Sequence, residues 1–261
     1  MLMDTSIIDA HLHLDLKEQN PLTSLLAKMD EEDIEKCVLI LNMPAERKTF
    51  LKDIQVYNQN KGRFIILSGI NVHDESSINE FEQLMNLDCT PGIKIHPRLF
   101  ELTLDDIPWY IDFCEKYPGL PIMIDSLFYG EMIEHHIGVE YGVHLARHFK
   151  DRKIIMAHSG SLDFLKCMMA TRYLNNVYYD YSFIQSFFKN TSLRLDMVEF
   201  LRRTSFRIMY GSDYPSFKLA ECKNDFAALI TEAGLSEKQT RDVLYNNALE
   251  VYGDRLSFLE R

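Results

Sequence analysis

Short apolar runs alternate with amphipathic stretches along the whole chain, and this alternation limits the folds that the chain can adopt. The runs at 37–41 (CVLIL) and 64–70 (FIILSGI) are almost entirely apolar, as a parallel strand covered by helices on both faces requires. Between them, the stretch 47–59 places Phe50 and Tyr57 on one face of a helix. Such strand-then-helix units favour a parallel sheet with right-handed crossovers.

The unit repeats often enough to predict a closed barrel. We expect strands at 7–15, 37–41, 64–70, 93–96, 122–125, 153–158, 177–180 and 207–210, and helices at 21–30, 47–59, 78–87, 105–116, 140–149, 162–170, 193–203, 219–232 and 237–252. This pattern predicts an α/β chain folded as a (β/α)8 TIM barrel with an additional C-terminal helix. An open doubly wound sheet is the alternative, but no GxGxxG turn follows the first strand. Because no linker composition interrupts residues 1–261, we expect one domain.

Charge and cysteine usage narrow the class of partner. The formal net charge is -11, which disfavours binding to nucleic acid or to anionic membranes. A small-molecule substrate is therefore the expected partner. Assembly into a homo-oligomer is left open. The 5 cysteines are widely spaced without a CxxC pair, as in reduced cytoplasmic proteins.

The first residues, including Asp4, lack the features of a signal peptide, and no apolar run approaches the ~20 residues of a membrane span. We therefore expect a cytoplasmic protein.

Two histidines stand at alternate positions of the first predicted strand, in the stretch IIDAHLHLD. Side chains two apart in a strand point to the same side, so His11 and His13 face one way together with Asp9. Two imidazoles at this spacing can bind one metal ion without backbone distortion. The motif alone is too short to be specific, because strand-end histidines also bond to neighbouring carbonyls.

Other predicted strands also end in polar residues that an apolar run does not require. The fourth carries Lys94 and His96 on one face, the fifth ends in Asp125, the sixth ends in His158, and Asp213 follows the eighth. Each could be a satisfied buried polar group, but their joint occurrence at one rim of a barrel predicts a metal or acid/base site.

Three further sets of polar or aromatic residues receive no catalytic role. Asp180 ends the seventh strand, where it could equally bond a loop backbone. His144 and His148 lie four apart on an outer helix, where a solvated face is the simpler interpretation. The long stretch 126–139 has the length of a functional lid, and it includes aromatic residues next to Asp125.

Taken in order, these motifs resemble those of the amidohydrolase superfamily, specifically its amidohydrolase-related branch with the aminocarboxymuconate-semialdehyde decarboxylase-like enzymes. The matching segments are IIDAHLHLD, GIKIHP, KIIMAHSG, YGSDYP and NNALEVYG. The resemblance implies a barrel with one divalent metal, often zinc. It implies that His11 and His13 ligate the metal, and that Asp213 both ligates it and takes a proton from the attacking water. It further implies that His158 is a ligand or a catalytic group.

One position departs from that family pattern. Relatives usually have a histidine at the end of strand five, whereas this chain reads PIMIDSLF and has Asp125 there. A carboxylate can still ligate, and a set of two His and two Asp would suit Mn or Fe as well as Zn. The change could equally mean a weak or vacant metal site, and His96 is a possible substitute ligand.

The leading hypothesis is metal-assisted hydrolysis of a small amide, lactone or related carbonyl substrate. Asp213 and His158 are the predicted catalytic residues, and Lys94, His96 and Arg98 are predicted to bind substrate, for example through a carboxylate. A nonoxidative decarboxylase of an aromatic or unsaturated acid is the alternative that keeps the metal. A degenerate barrel that binds a ligand without catalysis is the alternative from another class.

Overall fold

The chain is described by a computed structural model that covers residues 6–87, 89 and 91–259, with side chains up to Gly253. Asp4, on which the expectation about the first residues depends, lies outside this range. The strands are β1 (Ile7–Leu12), β2 (Ile34–Leu41), β3 (Phe64–Gly69), β4 (Gly92–Ile95), β5 (Ile122–Asp125), β6 (Ile154–Ala157), β7 (Val177–Asp180) and β8 (Ile208–Met209). All eight predicted strands are confirmed.

The strands lie in one eight-stranded sheet in chain order, from β1 to β8. The strand pairs with a described register are parallel. The chain after β8 returns to β1, because Ala10 N donates to Tyr210 O at 2.8 Å and His13 N donates to Tyr214 O at 2.7 Å. Eight parallel strands alternating with helices form a (β/α)8 barrel, so the predicted fold class is confirmed.

Twelve α-helices connect or follow the strands in the described part of the chain. They are α1 (Pro21–Glu31), α2 (Pro44–Lys52), α3 (Ile54–Gln59), α4 (Glu75–Asn86), α5 (Ile107–Glu115), α6 (Gly138–His148), α7 (Phe164–Thr171), α8 (Ile184–Phe187), α9 (Leu193–Thr204), α10 (Leu219–Ala233), α11 (Glu237–Arg241) and α12 (Asn247–Leu259). The backbone groups into two compact units, 1–66 with 180–261 (the terminal unit) and 67–179 (the central unit). The expectation of one domain stays a prediction.

The predicted helix at 47–59 is two helices, and its start was placed too late. Pro44 begins α2, since its fixed φ suits the first helical turn, and the Glu46 side chain accepts from Met43 N at 2.7 Å. The break falls at Asp53, whose φ of -94° and ψ of 16° leave the helical range. Neither Pro nor Gly marks this break, so the apolar period runs across it and hides it.

The predicted C-terminal helix at 237–252 is also interrupted. A π-helical turn at Asp242–Asn246 separates α11 from α12. Within this turn, Val243 O accepts a hydrogen bond from Tyr210 N at 2.9 Å. Just beyond it, Asn247 Nδ2 donates to Ser205 O at 2.6 Å and to Ile208 O at 2.7 Å. The irregular turn therefore supports the strand that leads to Asp213.

In the central unit, the stretch 126–139 is shorter as a loop than predicted. It contains a 3-10 turn at Ile133–His135, and α6 begins at Gly138. A Cβ atom at Gly138 would lie 2.1 Å from Asp125 O, so only glycine allows α6 to start this close to the end of β5. The predicted helix at 162–170 begins later, because a 3-10 segment at His158–Asp163 follows β6 directly.

Candidate functional site

Within the terminal unit, β1 and the segment after β8 bring two predicted ligands and Asp213 together. His11 lies near the end of β1, and His13 follows one residue beyond it. Asp213 N donates to His11 O at 2.8 Å, which fixes the aspartate beside the strand. The predicted grouping of these three residues is therefore present in the structure.

Each of the two imidazoles is held from behind by a buried acceptor. His11 Nδ1 lies 3.0 Å from Asp180 Oδ2. His13 Nδ1 lies 3.1 Å from Glu46 Oε1 and 3.1 Å from Ile40 O. Because carboxylate and carbonyl oxygens only accept, Nδ1 of each ring carries the proton, which leaves the lone pair of a neutral ring on Nε2.

The other ring nitrogens point to one carboxylate oxygen. His11 Nε2 lies 3.5 Å from Asp213 Oδ1, and His13 Nε2 lies 3.7 Å from the same atom. Two imidazole nitrogens and one carboxylate oxygen are a donor set that suits a divalent transition metal. A carboxylate behind each ligating histidine is the usual support of such a site. The terminal unit therefore supplies three donor groups of the types that bind a divalent metal.

Asp180 and Glu46 are the residues that sequence reasoning missed. Asp180 is fully buried, and its Oδ1 accepts from the hydroxyl of Ser182 and, at 3.1 Å, from Ser182 N. Its position at the end of β7 was the available signal, because polar strand ends collect at this rim. Glu46 carried no such signal, since it lies in the first turn of α2 and reads as a helix cap.

The Asp9 carboxylate accepts hydrogen bonds from two backbone N–H groups in different segments of the chain. Its Oδ1 accepts from Ser212 N at 2.9 Å and from His11 N at 3.1 Å. Burial raises the pKa of Asp9 to about 7, although these hydrogen bonds act to lower it. The carboxyl group therefore ties β1 to the segment that carries Asp213.

Two local features allow Asp213 and His11 to approach. Asp213 has a φ of 59°, in the left-handed region that non-glycine residues rarely occupy. A Cβ atom on Gly211 would lie 3.0 Å from both His11 Cβ and Ser182 Cβ. Residues held in such sparsely populated conformations cluster at functional sites.

Within the central unit, the other predicted residues gather around Asp125. Its Oδ2 atom lies 3.2 Å from Lys94 Nζ, 3.4 Å from His96 Nε2 and 3.3 Å from His158 Nε2. Oδ1 accepts from Leu127 N at 3.2 Å. The four residues of this unit therefore lie together, while their predicted roles stay predictions.

In this cluster Asp125 is ionised, whereas the ring of His96 is neutral. Burial would raise the pKa of Asp125, but the neighbouring His96, Lys94 and His158 hold it well below its usual range. Burial lowers the pKa of His96 to about 3. His96 Nδ1 accepts from Leu99 N at 3.2 Å, so the neutral ring carries its proton on Nε2 and directs it to Asp125. Lys94 is therefore the cation that balances Asp125.

The predicted substrate-binding residues do not share one environment. Lys94 is fully buried against Asp125, and His96 is 7 % exposed in the same cluster. Arg98 instead lines a cavity beside the stretch 126–139. His148 lies 3.0 Å from Glu115 on the outer surface, which agrees with a solvated helix face.

His158 begins a strained turn. Its φ is 58°, and the next three residues, Ser159, Gly160 and Ser161, also have positive φ. Gly160 N donates to Ser126 Oγ at 2.9 Å, which ties this turn to the end of β5. The turn thereby fixes the direction of the His158 ring toward Asp125.

A family model for amidohydrolases matches residues 54–253. This match spans most of the barrel, from α3 to α12. The fold and the arrangement of histidines and aspartates define a member of the amidohydrolase superfamily of TIM barrels. The chain belongs to the amidohydrolase family described by that model.

Solved structures show the same fold at low sequence identity. An uncharacterized TIM-barrel protein from Bordetella bronchiseptica is 15% identical with a TM-score of 0.75, covering 96% of this chain and 99% of that one. A probable 2-pyrone-4,6-dicarboxylic acid hydrolase from Acinetobacter baumannii, with citric acid bound, is 15% identical with a TM-score of 0.65, covering 95% and 99%. An amidohydrolase from Burkholderia multivorans, with bound zinc, is 12% identical with a TM-score of 0.61, covering 95% and 99%.

A search of curated protein sequences finds no significant match. Among the helices of the described residues, none is both long enough and apolar enough to span a bilayer. The expected cytoplasmic location and self-association stay predictions.

Proposed function

We propose that this chain is a metal-dependent hydrolase that acts on a small amide, lactone or related carbonyl substrate. One observation carries the proposal: His11 Nε2 and His13 Nε2 both approach Asp213 Oδ1, at 3.5 and 3.7 Å, while carboxylates hold the opposite ring nitrogens. Such support fixes the tautomer of each ring and raises its basicity as a ligand.

In this proposal the ion is one divalent metal. Zinc is the leading candidate because it binds nitrogen and oxygen ligands together. Carboxylate ligands also suit Mn and Fe, which are therefore the alternatives. His11, His13 and Asp213 would hold it. The sequence-based expectation that His158 and Asp125 also ligate stays a prediction, and Asp125 already has Lys94 as its counter-ion.

A bound divalent metal would supply Lewis acidity that polarises a carbonyl group and acidifies water. Asp213 would take the proton from the attacking water and return it to the leaving group, a role worth about 10²- to 10⁴-fold in rate. The His158 ring, fixed by its turn and by Asp125 at 3.3 Å, would orient the substrate or stabilise developing negative charge. Lys94 would keep Asp125 ionised and so hold His158 and His96 in place.

The names of the structural neighbours support this reaction class. One solved neighbour is a probable hydrolase of a dicarboxylic acid, and another is an amidohydrolase with zinc bound. The family match points the same way.

The test begins with elemental analysis of protein purified without chelator. We expect about one equivalent of divalent metal, loss of that metal after dialysis against a chelator, and recovery on adding zinc or manganese. A panel of lactones, amides and carboxylated phenols then separates the reactions. Acid formation from a lactone or amide supports the hydrolase, whereas carbon dioxide release from the phenols would establish the decarboxylase instead.

Asp213→Asn tests the assigned proton acceptor. We expect loss of turnover with the fold and much of the metal retained, because the amide keeps an oxygen ligand but cannot accept the proton. Asp105→Asn, a change at an exposed aspartate of the central unit, serves as the control. An active Asp213→Asn protein would contradict the mechanism. Persistent absence of metal after supplying zinc or manganese would favour a barrel that binds without catalysis.

A further inference from the structure

A cavity in the central unit lies between Arg98 and the stretch 126–139. Its wall includes Arg98, Asp125, Leu127, Phe128, His136 and Asp163. Asp125 belongs to the cluster that also holds His96 and His158, so a molecule in this cavity would lie next to that cluster. The cavity is therefore placed to hold a part of the substrate that does not react.

Arg98 differs from the other cations near this cavity because no carboxylate neutralises it. Lys94 pairs with Asp125 at 3.2 Å, and Lys166 pairs with Asp163 at 3.2 Å. Across the described residues, Arg98 makes no ion pair, and its guanidinium lies 5.9 Å from the centre of the Tyr129 ring. A partly buried cation without a counter-ion is costly unless a ligand supplies the negative charge.

The guanidinium also has an unused donor. Arg98 Nε is buried and has no hydrogen-bond partner within the part of the chain that the structure describes. Planar N–H donors of arginine match the two oxygens of a carboxylate. A carboxylate or another oxyanion in the cavity would offer acceptors of the kind that these donors match.

His136 is a second possible donor that lines the same cavity. Neither of its ring nitrogens has a hydrogen-bond partner of ordinary geometry among the described residues, although a looser contact with the Tyr129 backbone acts to raise the pKa of the ring. Phe128 packs against the ring edge to face, with centroids 4.2 Å apart, and thereby restrains it. Burial, followed by the charge of Arg98, lowers the pKa of His136, so the ring is neutral and offers one N–H.

We propose that Arg98, assisted by His136, binds a carboxylate of the substrate. The proposal rests on the proposed function and narrows its substrate class to small carbonyl compounds that carry a carboxylate away from the reacting bond. A phosphate would offer similar oxygens. However, Asp125 and Asp163 line the same cavity, and their charge disfavours a dianion more than a monoanion.

Binding to chelator-treated, full-length protein tests this assignment without depending on turnover. Isothermal titration calorimetry compares benzoate with benzamide, which has nearly the same shape but no charge, and with phenyl phosphate. We expect benzoate to bind at least about 10-fold more tightly than benzamide, the range of a hydrogen bond to a charged group. Equal affinities for benzoate and benzamide, or tighter binding of phenyl phosphate, would overturn the carboxylate assignment.

Substitutions test which side chains are responsible for the preference for benzoate. Arg98→Met should reduce benzoate affinity to that of benzamide, Arg98→Lys should keep part of it, and His136→Phe should weaken benzoate binding severalfold while keeping the ring packed on Phe128. Arg203→Met removes a charge of the same kind from an exposed site on α9 and should change nothing. Unchanged benzoate affinity in Arg98→Met, with a wild-type melting temperature, would refute the role of Arg98.

The two proposals can fail separately. A protein that binds no metal and hydrolyses nothing, yet prefers benzoate through Arg98, would contradict the hydrolase and keep the carboxylate subsite. A metal-loaded protein that hydrolyses neutral lactones and shows no preference for benzoate would keep the hydrolase and remove the subsite.

Discussion

His11 Nδ1 lies 3.0 Å from Asp180 Oδ2, and both side chains are buried. Asp180 is held in turn by the hydroxyl and the backbone N–H of Ser182. The ring of His11 therefore has one orientation, with Nε2 toward Asp213. This contact connects the end of β7 to His11, the proposed metal ligand of β1, through side chains alone.

We expect Asp180→Asn to weaken metal binding without unfolding the protein. The amide can present its NH2 group to Nδ1, which would favour the tautomer with the proton on Nε2 and remove the lone pair that the metal needs. Loss of such a supporting carboxylate typically costs about 10- to 100-fold in metal affinity. Competition with a fluorescent zinc chelator measures the change. Asp105→Asn is the matched control, and equal affinities for both variants would contradict the supporting role.

Glu46→Gln should have a smaller effect than Asp180→Asn. His13 Nδ1 keeps a second acceptor, Ile40 O at 3.1 Å, after the carboxylate is lost. The glutamine can also keep the cap on Met43 N through its carbonyl oxygen. The same zinc competition should therefore show a loss of affinity below that of Asp180→Asn. A larger loss would mean that His13, rather than His11, depends more on its carboxylate.

Asp125→Asn should destabilise the central unit through Lys94. The change leaves a fully buried ammonium group without its counter-ion, and breaking a buried pair in this way costs about 3–5 kcal/mol. Urea unfolding of chelator-treated protein gives the free energy of unfolding. The double variant Asp125→Asn/Lys94→Met should recover part of the loss, since it removes the unpaired charge. Additive losses in the double variant would show that the two residues do not interact.

Asp125→His tests whether this chain can accept the histidine that relatives usually have at the end of strand five. A histidine would restore the residue usual in relatives, but it would leave Lys94 without a carboxylate. We expect Asp125→His to lose stability as Asp125→Asn does, and to improve on adding Lys94→Met. Full stability of Asp125→His alone would show that Lys94 finds another counter-ion or loses its charge.

Gly211→Ala should displace His11. The new Cβ atom would lie 3.0 Å from His11 Cβ and Ser182 Cβ, so both side chains must shift. Overpacking of this kind costs about 1–3 kcal/mol, and we expect weaker zinc binding together with the lower unfolding free energy. Gly62→Ala is the control, because nothing lies within 4 Å of the position that its Cβ would take. Similar losses in both variants would contradict the packing explanation.

The strand predictions succeeded because most strands are short, mainly apolar runs buried on both faces, a signal carried by neighbouring residues. The helix predictions failed at breaks that no local residue marks. Asp53 ends α2 without a proline or glycine, and the π-helical turn at Asp242–Asn246 interrupts a stretch with good helical spacing. The π-helical turn lies where the backbone makes a tertiary contact, Tyr210 N with Val243 O, which a single sequence does not show.

The residues of the candidate site also fall into two groups, those that the sequence predicted and those that it did not. The sequence by itself determined which polar residues lie at or shortly after the strand ends: His11, Asp125, His158 and Asp213 stand out because charge and imidazole are unexpected beside buried apolar runs. It could not reveal Asp180 and Glu46 as supports of the two histidines. Those contacts join residues 169 and 33 positions apart, and a single sequence holds no record of such distances.

Only the tertiary structure decided what each polar residue contacts. Asp125 is predicted to be a metal ligand from its strand-end position, and only the structure shows that its carboxylate also lies 3.2 Å from the buried ammonium group of Lys94, which requires a counter-ion. Arg98 looked equivalent to Lys94, yet it lacks a carboxylate partner in the described structure and lines a cavity. Residue type fixes the chemistry that a side chain can perform, while burial and neighbours fix which of those roles remains open to it.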